Sequence, residues 1–493
     1  MTTPHGTGSR IDETPEDSAL RARIANLMPR AIEDLTELVT FRSVADPSVE
    51  NPQQCRLAAE WVRDAFSAEG LRAEIMPTPD GSEAVIAHYD GPPGAPRVLL
   101  YAHYDVQPAN PAEWTSDPWT LTERDGRYYA RGAADCKGSV ITHLTALRAL
   151  RADANTGEQQ DDESQNADGP SPELAGGQDA DGLYPVSLTV VVEGSEEQGT
   201  GGLEQLVAAR PELFAADVIL IQDTGNAAVG VPTLTVALRG VVDAAVRVRA
   251  LDTSLHSGAF GGAAPDPIAA LMTILASLRN AEGDTVIDGL PADGRWPGEP
   301  YPTEQFAADA GVLPGVEVLG SGSVADQIWA RPAATVLGIE APAVEGAVAA
   351  IQPRASALVN LRIPPSIQVE QAEAALVQHL KARAPWGVQV EVEITGRGRP
   401  FAARTDTEAF EDLSNALGQS FGRPTVTIGQ GGAIPLTAAL AEAHREASIV
   451  MLGLAEPASR IHAPDESVHP GEIEHIALGT ALFMRRLGAK ARN

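Results

Sequence analysis

Apolar positions along the chain change their period several times, and each change marks an element. Over residues 19–39 they recur every three or four positions, which predicts an amphipathic helix; the same spacing runs over 55–69 before Gly70. Short apolar runs at 98–102, 187–192 and 218–222 predict buried strands, with a helix over 139–150 between the first two. This βαβ-like rhythm predicts an α/β layer whose sheet edge carries the chemistry.

From about residue 238 the pattern changes. A strand at 241–250, a helix at 267–279, strands at 334–340 and 355–363, a helix at 369–383 and a strand at 388–394 follow in turn. The order β-α-β-β-α-β predicts a small ferredoxin-like α+β sandwich with an antiparallel sheet, interrupted by a Gly/Pro-rich insertion around 283–330. After about residue 400 the α/β style returns and ends in a helix at 473–487. The expected organisation is therefore a first domain made of 16–237 and 399–493, with a second domain, 238–398, inserted into it.

Composition adds further limits. The polar first fifteen residues read as a disordered leader. Residues 151–184 carry nine acidic groups against one arginine, with almost nothing to bury, so 152–184 reads as an acidic disordered insertion. The formal charge of −31 disfavours nucleic acid or an anionic membrane surface as partner, and no apolar run reaches the roughly 18 residues of a membrane span. Two cysteines, Cys55 and Cys136, make no disulfide framework and point to a reducing cytoplasm.

Several loop ends carry groups suited to metal chemistry. The strand before His103 ends in His103-Tyr-Asp105, and alternation in an extended chain sends both side chains to one side. His103 can then bind a metal while Asp105 orients its imidazole. Asp135 lies in Arg131-Gly-Ala-Ala-Asp135-Cys-Lys-Gly138, a glycine-bounded loop leading into a helix. Glu196 and Glu197 follow a β-branched strand, and a cation would relieve their mutual repulsion, leaving one as ligand and the other as proton acceptor. Asp223 ends a buried strand, and His462 stands close to Asp465 and Glu466. Together these residues suit a two-zinc or two-manganese site. Asp135 and Glu197 are 62 positions apart; without the 33 residues 152–184, 29 remain, enough for one helix and one strand.

The ordered set Ala102-His-Tyr-Asp-Val-Gln-Pro108, Gly132-Ala-Ala-Asp135, Glu193-Gly-Ser-Glu-Glu197, Asp223, His256-Ser-Gly-Ala-Phe-Gly-Gly262 and His462 resembles the M20 metallopeptidases, most of all their carnosinase-like dipeptidase branch. The resemblance implies two divalent ions per subunit, zinc first, with manganese or cobalt as alternatives. Asp135 would bridge them, His103 and Asp223 would complete one ligand set, and Glu197 and His462 the other. Glu196 would be the general base and Asp105 the partner of His103. Residues 238–398 would be a lid and dimerisation domain, which implies a homodimer. From that domain His256 would stabilise the oxyanion in a partner subunit's site, and Arg362 would take the substrate carboxylate. Gly431 and Gly432, in Gly429-Gln-Gly-Gly-Ala433-Ile-Pro435, would add amide donors to it, although dipeptidase relatives usually carry serine at Ala433. Cys136, beside the bridging aspartate, reads as a packing residue. The expected activity is hydrolysis of dipeptides or short peptides with a free C-terminus. The alternatives are an N-acyl or N-succinyl amino acid deacylase with the same centre, or a non-catalytic scaffold that kept the fold.

Overall fold

The computed structural model describes residues 13–157, 182–432 and 434–491. They form two compact units, one made of Met1–Thr235, Ala403–Val426 and Ala439–Asn493, the other of Val236–Ala402 and Thr427–Ala438. Thr427–Ala438 thus joins the second unit, whereas the sequence reading puts it in the first domain.

In the first unit a mixed sheet runs in the order Arg72–Pro77, Glu83–Tyr89, Ser187–Glu193, Arg97–His103, Val218–Gln222, Ser448–Leu452. The last four strands are parallel to one another and the first two are antiparallel additions. Ser187–Glu193 and Val218–Gln222 are buried along their whole length, as their unbroken apolar runs predict. His103 pairs in register with Glu193, Tyr101 with Ile221, and Gln222 with Leu452. The carboxyl ends of four strands therefore finish level, and their loops emerge at one edge. Helices Pro15–Leu38, Lys137–Gly157, Glu408–Phe421 and Pro470–Ala491 pack together on the sheet, and Gln53–Ala68 packs on its first two strands.

Two expectations of disorder are corrected at their borders. Thr14 caps the first helix through a capping box with Asp17, so order begins before residue 16; residues 1–12 of the expected leader lie outside the described residues. Of the acidic insertion, 158–181 lies outside them too. Its first residues continue the helix to Gly157. At its end Tyr184 is buried, donates its hydroxyl to the Glu69 carbonyl at 2.7 Å and meets the Tyr89 ring edge-on. An aromatic ring with a satisfied hydroxyl is an anchor that charge composition does not register.

The second unit holds a four-stranded antiparallel sheet in the order Ala333–Glu340, Arg354–Ile363, Gly240–Arg249, Gln389–Gly398, with helices Pro267–Ala276 and Val369–Ala382. Side chains of Gly240–Arg249 alternate buried and less buried, so one face joins Leu271, Ile274, Leu376 and Leu380 in a core. Strand order and connections are those of the ferredoxin-like sandwich that the β-α-β-β-α-β pattern predicts.

Candidate metal centre

Asp135 sits at the middle of the loop edge of the first unit. Its Oδ1 lies 3.1 Å from His103 Nε2 and its Oδ2 lies 3.0 Å from His462 Nε2. Each oxygen of one carboxylate thus faces a different imidazole. Asp223 Oδ1 is 3.3 Å from His103 Nε2, and Glu197 Oε2 is 3.2 Å from His462 Nε2. The residues divide into two groups that could each hold an ion, His103, Asp135, Cys136 and Asp223 in one and Asp135, Glu197 and His462 in the other, with Asp135 common to both.

Each group is held by its own local structure. His103 ends a buried strand, and its Nδ1–H donates to the main-chain carbonyl of Asp105 at 3.0 Å. The Asp105 carboxylate is farther from that nitrogen, at 3.4 Å, and instead accepts the amides of Glu196 and Glu197 at 3.2 and 3.0 Å. One residue therefore orients the imidazole with its backbone and the glutamate pair with its side chain. Gln107 donates to Glu197 Oε2 at 2.7 Å. The Asp135 loop rests on Glu466, which is fully buried, pairs with Arg131 at 2.7 Å, and accepts the amides of Gly132, Ala134 and Asp135. The loop bearing His462 carries three non-glycine residues of positive φ, Arg460, His462 and Asp465. Such backbone persists only where its surroundings over-determine it, and Asp465 is tied to Thr115 and Arg124.

The electrostatics call for cations. Asp105, Asp135, Glu196, Glu197 and Asp223 crowd around two imidazoles. Burial, and then the charge of Asp223, raises the Glu196 carboxyl well above its ordinary value. Burial pushes Asp223 up to about 6, with the charges of Asp135 and Glu197 adding to the rise. Glu197 Oε1 is buried without a hydrogen-bond partner among the described residues. An orphaned carboxylate oxygen among acids and imidazoles is the donor set of a divalent-metal site, so the residues fit two ions. Burial pushes the Cys136 thiol up to about 11, and its Sγ donates to the Gln222 carbonyl at 3.1 Å.

The remaining expected site residues belong to the second unit. His256 is exposed at the end of a two-residue strand paired with Ala350–Ile351. Arg362 lies in Arg354–Ile363, opposite Val241. Gly431 adjoins Arg239, whose Nη2 would be 3.0 Å from a Cβ added at the glycine; Gly432 has open space around it, and Ala433 lies outside the described residues. Sequence reading passes over Arg239, which stands between the strands Thr233–Leu238 and Gly240–Arg249. Its Nε and Nη1 are buried with no hydrogen-bond partner among the described residues, and burial together with the charge of Arg362 lowers it to about 10. The available signal was a lone arginine between two apolar strands.

Comparison with known proteins gives the family. The model of peptidase family M20/M25/M40 matches residues 99–158, and that of the peptidase dimerisation domain matches 236–388. A cysteinylglycine-S-conjugate dipeptidase of Corynebacterium striatum is 41% identical over 480 residues, covering 96% of this chain and 99% of the relative. The chain belongs to peptidase family M20. A beta-Ala-His dipeptidase of Mus musculus is 28% identical, with 85% of this chain and 83% of the relative covered. The solved structure of human carnosine dipeptidase 1 shares the fold, with a TM-score of 0.75 at 24% identity over 97% of this chain and 100% of that one. The M20 resemblance and the α/β fold with its α+β insertion hold, and this M20 chain is a metal-dependent peptidase rather than a scaffold. No helix among the described residues is long and apolar enough to cross a membrane.

Proposed function

We propose that the chain is a metallodipeptidase that hydrolyses the amide bond of short peptides with a free C-terminus. The observation that carries this reading is the Asp135 carboxylate, one oxygen toward His103 and the other toward His462. In this reading His103, Asp135 and Asp223 hold one divalent ion and Asp135, Glu197 and His462 the other, zinc before manganese or cobalt. When bound, the ions supply a lowered water pKa and Lewis acidity toward the scissile carbonyl. Glu196 takes a proton from the attacking water and delivers it to the leaving amine. Its raised affinity for a proton suits a group that must both accept and release one. His256 of a partner subunit is the oxyanion donor, and Arg362 holds the substrate carboxylate. Arg239 joins it, since its buried, unpartnered N–H groups lack an anion.

A homodimer through the second unit fits the edge strand Ala333–Glu340, along which Val336, Leu337 and Ile339 are exposed. The two free cysteines fit a reducing cytoplasm. The relatives named for cysteinylglycine conjugates and for beta-Ala-His make these the first substrates to try, and a deacylase role is disfavoured.

The test is to strip the protein with chelator, restore zinc, manganese or cobalt, and assay two panels. One holds Cys-Gly, S-substituted Cys-Gly and beta-Ala-His; the other holds N-acetyl and N-succinyl amino acids. Metal-dependent release from the first panel, lost in Glu196→Ala with metal content intact, is the expected result. Turnover confined to the acylated panel would move the chain to the deacylases, and near-normal rates in Glu196→Ala would remove the base.

A further inference from the structure

The hairpin turn that joins Arg72–Pro77 to Glu83–Tyr89 reads Thr78-Pro-Asp80-Gly-Ser82, an ordinary turn sequence with Gly81 at positive φ. Part of Asp80's bonding is equally ordinary: Oδ1 accepts the Ser82 amide at 3.1 Å and the Thr78 hydroxyl at 2.6 Å. Its other oxygen looks elsewhere. Oδ2 accepts the hydroxyl of Ser195 at 2.8 Å and that of Thr200, residues 115 and 120 positions farther along. Ser82 also donates to Ser195 Oγ at 2.9 Å.

Ser195 immediately precedes Glu196, and Thr200 follows the short 3-10 turn Glu196–Gln198. The stretch between strand Ser187–Glu193 and helix Gly202–Ala209 contains Gly194, Gly199 and Gly201, and the last two have positive φ. A stretch so rich in glycine loses much conformational freedom on ordering and needs fixed points. It has one on each flank: the Asp105 carboxylate accepts the amides of Glu196 and Glu197, and the Asp80 carboxylate accepts the hydroxyls on either side of the pair. Asp80 also lies against the start of helix Gly202–Ala209, where a Cβ at Gly202 would fall 2.2 Å from Oδ1. Gly201 offers no side-chain cap there, so the carboxylate faces the positive end of the helix.

We propose that Asp80 is a positioning residue, which holds Glu196 and Glu197 in working geometry through Ser195 and Thr200. This rests on the reading of Glu196 as base and Glu197 as ligand. Asp80 takes no part in proton transfer or metal binding; its removal lets the segment drift, and a displacement near 1 Å at a reacting group can cost ~100-fold in rate.

The experiment compares full-length, metal-loaded wild type with Asp80→Ala, Asp80→Asn, the pair Ser195→Ala with Thr200→Val, and the triple variant joining Asp80→Ala to that pair. A Thr200→Ser variant keeps the hydroxyl, and Glu196→Ala serves as the control for the base. Expected is a fall in kcat of about 10- to 100-fold for Asp80→Ala and for the hydroxyl pair, with KM within about 2-fold and near wild-type rates for Thr200→Ser. The triple variant should be no slower than either parent, because the three groups act as one unit. Wild-type kcat in Asp80→Ala, or independent losses that multiply in the triple variant, would overturn the proposal while a dead Glu196→Ala left the base standing. An active Glu196→Ala would overturn both. Should Asp80→Ala fail to fold, the hydroxyl pair decides, since unchanged kcat there also sinks the proposal.

Discussion

Glu466 accepts the main-chain amide of Asp135 at 3.1 Å, so the loop that carries His462 also holds the carboxylate that His462 faces. The same side chain takes the amides of Gly132 and Ala134 and the guanidinium of Arg131. Glu466→Ala leaves three amides and a buried charge without their acceptor. We expect metal affinity to fall ~10- to 100-fold, the usual cost of losing a group that supports a ligand. Titration of the stripped protein with zinc measures it; unchanged affinity would mean that the Asp135 loop is held by other contacts.

Asp105 divides its work between carbonyl and carboxylate, and substitution can separate the two. Asp105→Asn keeps the carbonyl that accepts the His103 proton, yet sets an amide NH2 against one of the Glu196 and Glu197 amides. Turnover should fall by roughly 10- to 100-fold with both metals retained. Loss of metal at constant specific activity per bound ion would show that the 3.4 Å contact of its carboxylate with His103 matters more.

Arg239 and Arg362 are the proposed anchors for the substrate carboxylate. Removing Arg239 by Arg239→Met should raise KM for free dipeptides by about 10- to 100-fold, the worth of a hydrogen bond to a charged group at ~1.5–3 kcal/mol. The same dipeptides with amidated C-termini should be cleaved equally by both proteins. An equal loss on both substrates would reassign Arg239 to packing.

Stability should depend on pH through Glu472. Burial pushes this carboxyl up to about 7 from an ordinary 4.5, although Gly230 and Asn226 donate to it. A folded pKa above the unfolded one means that the stabilisation is complete below about 4.5 and lost as pH rises through about 7. Glu472→Gln removes that dependence, and Asn226 can adapt because its buried Oδ1 has no partner and can accept from the new amide. The variant should therefore gain stability over wild type as pH rises from 5 to 8, by on the order of 3 kcal/mol at the upper end, read as a Tm difference that widens with pH. Parallel Tm curves across that range would contradict the assignment.

Much of the fold was legible because its parts are local. Residues 218–222 read as a buried strand and are one, since a strand buried on both faces needs an unbroken apolar run. Of the residues expected to hold metal, His103, Asp135, Glu197 and Asp223 lie at or just after such strands or in short glycine loops, where an apolar run giving way to His, Asp or Glu is visible in the chain itself; His462 lies in a loop with neither mark. The hairpin of Arg72–Pro77 and Glu83–Tyr89 went unread, because Arg72–Pro77 has no buried residue and Glu83–Tyr89 sets a short buried run between less buried ends.

What the amino-acid order determined by itself was the run of elements, the inserted β-α-β-β-α-β block and the kinds of side chain at the loop ends, all of which follow from hydrophobic period and from spacing. Only the tertiary structure decided which groups meet. Asp80 reaches Ser195 across 115 positions, Glu466 reaches Ala134 across 332, and Asp105 turns its carboxylate to the glutamates and its carbonyl to His103. Tyr184 closes the acidic stretch, and Arg239 brings buried Nε and Nη1 groups beside Gly431. The reason is physical: periodicity reports which face of an element is buried, whereas a hydrogen bond depends on strand register and loop path, which long-range packing sets.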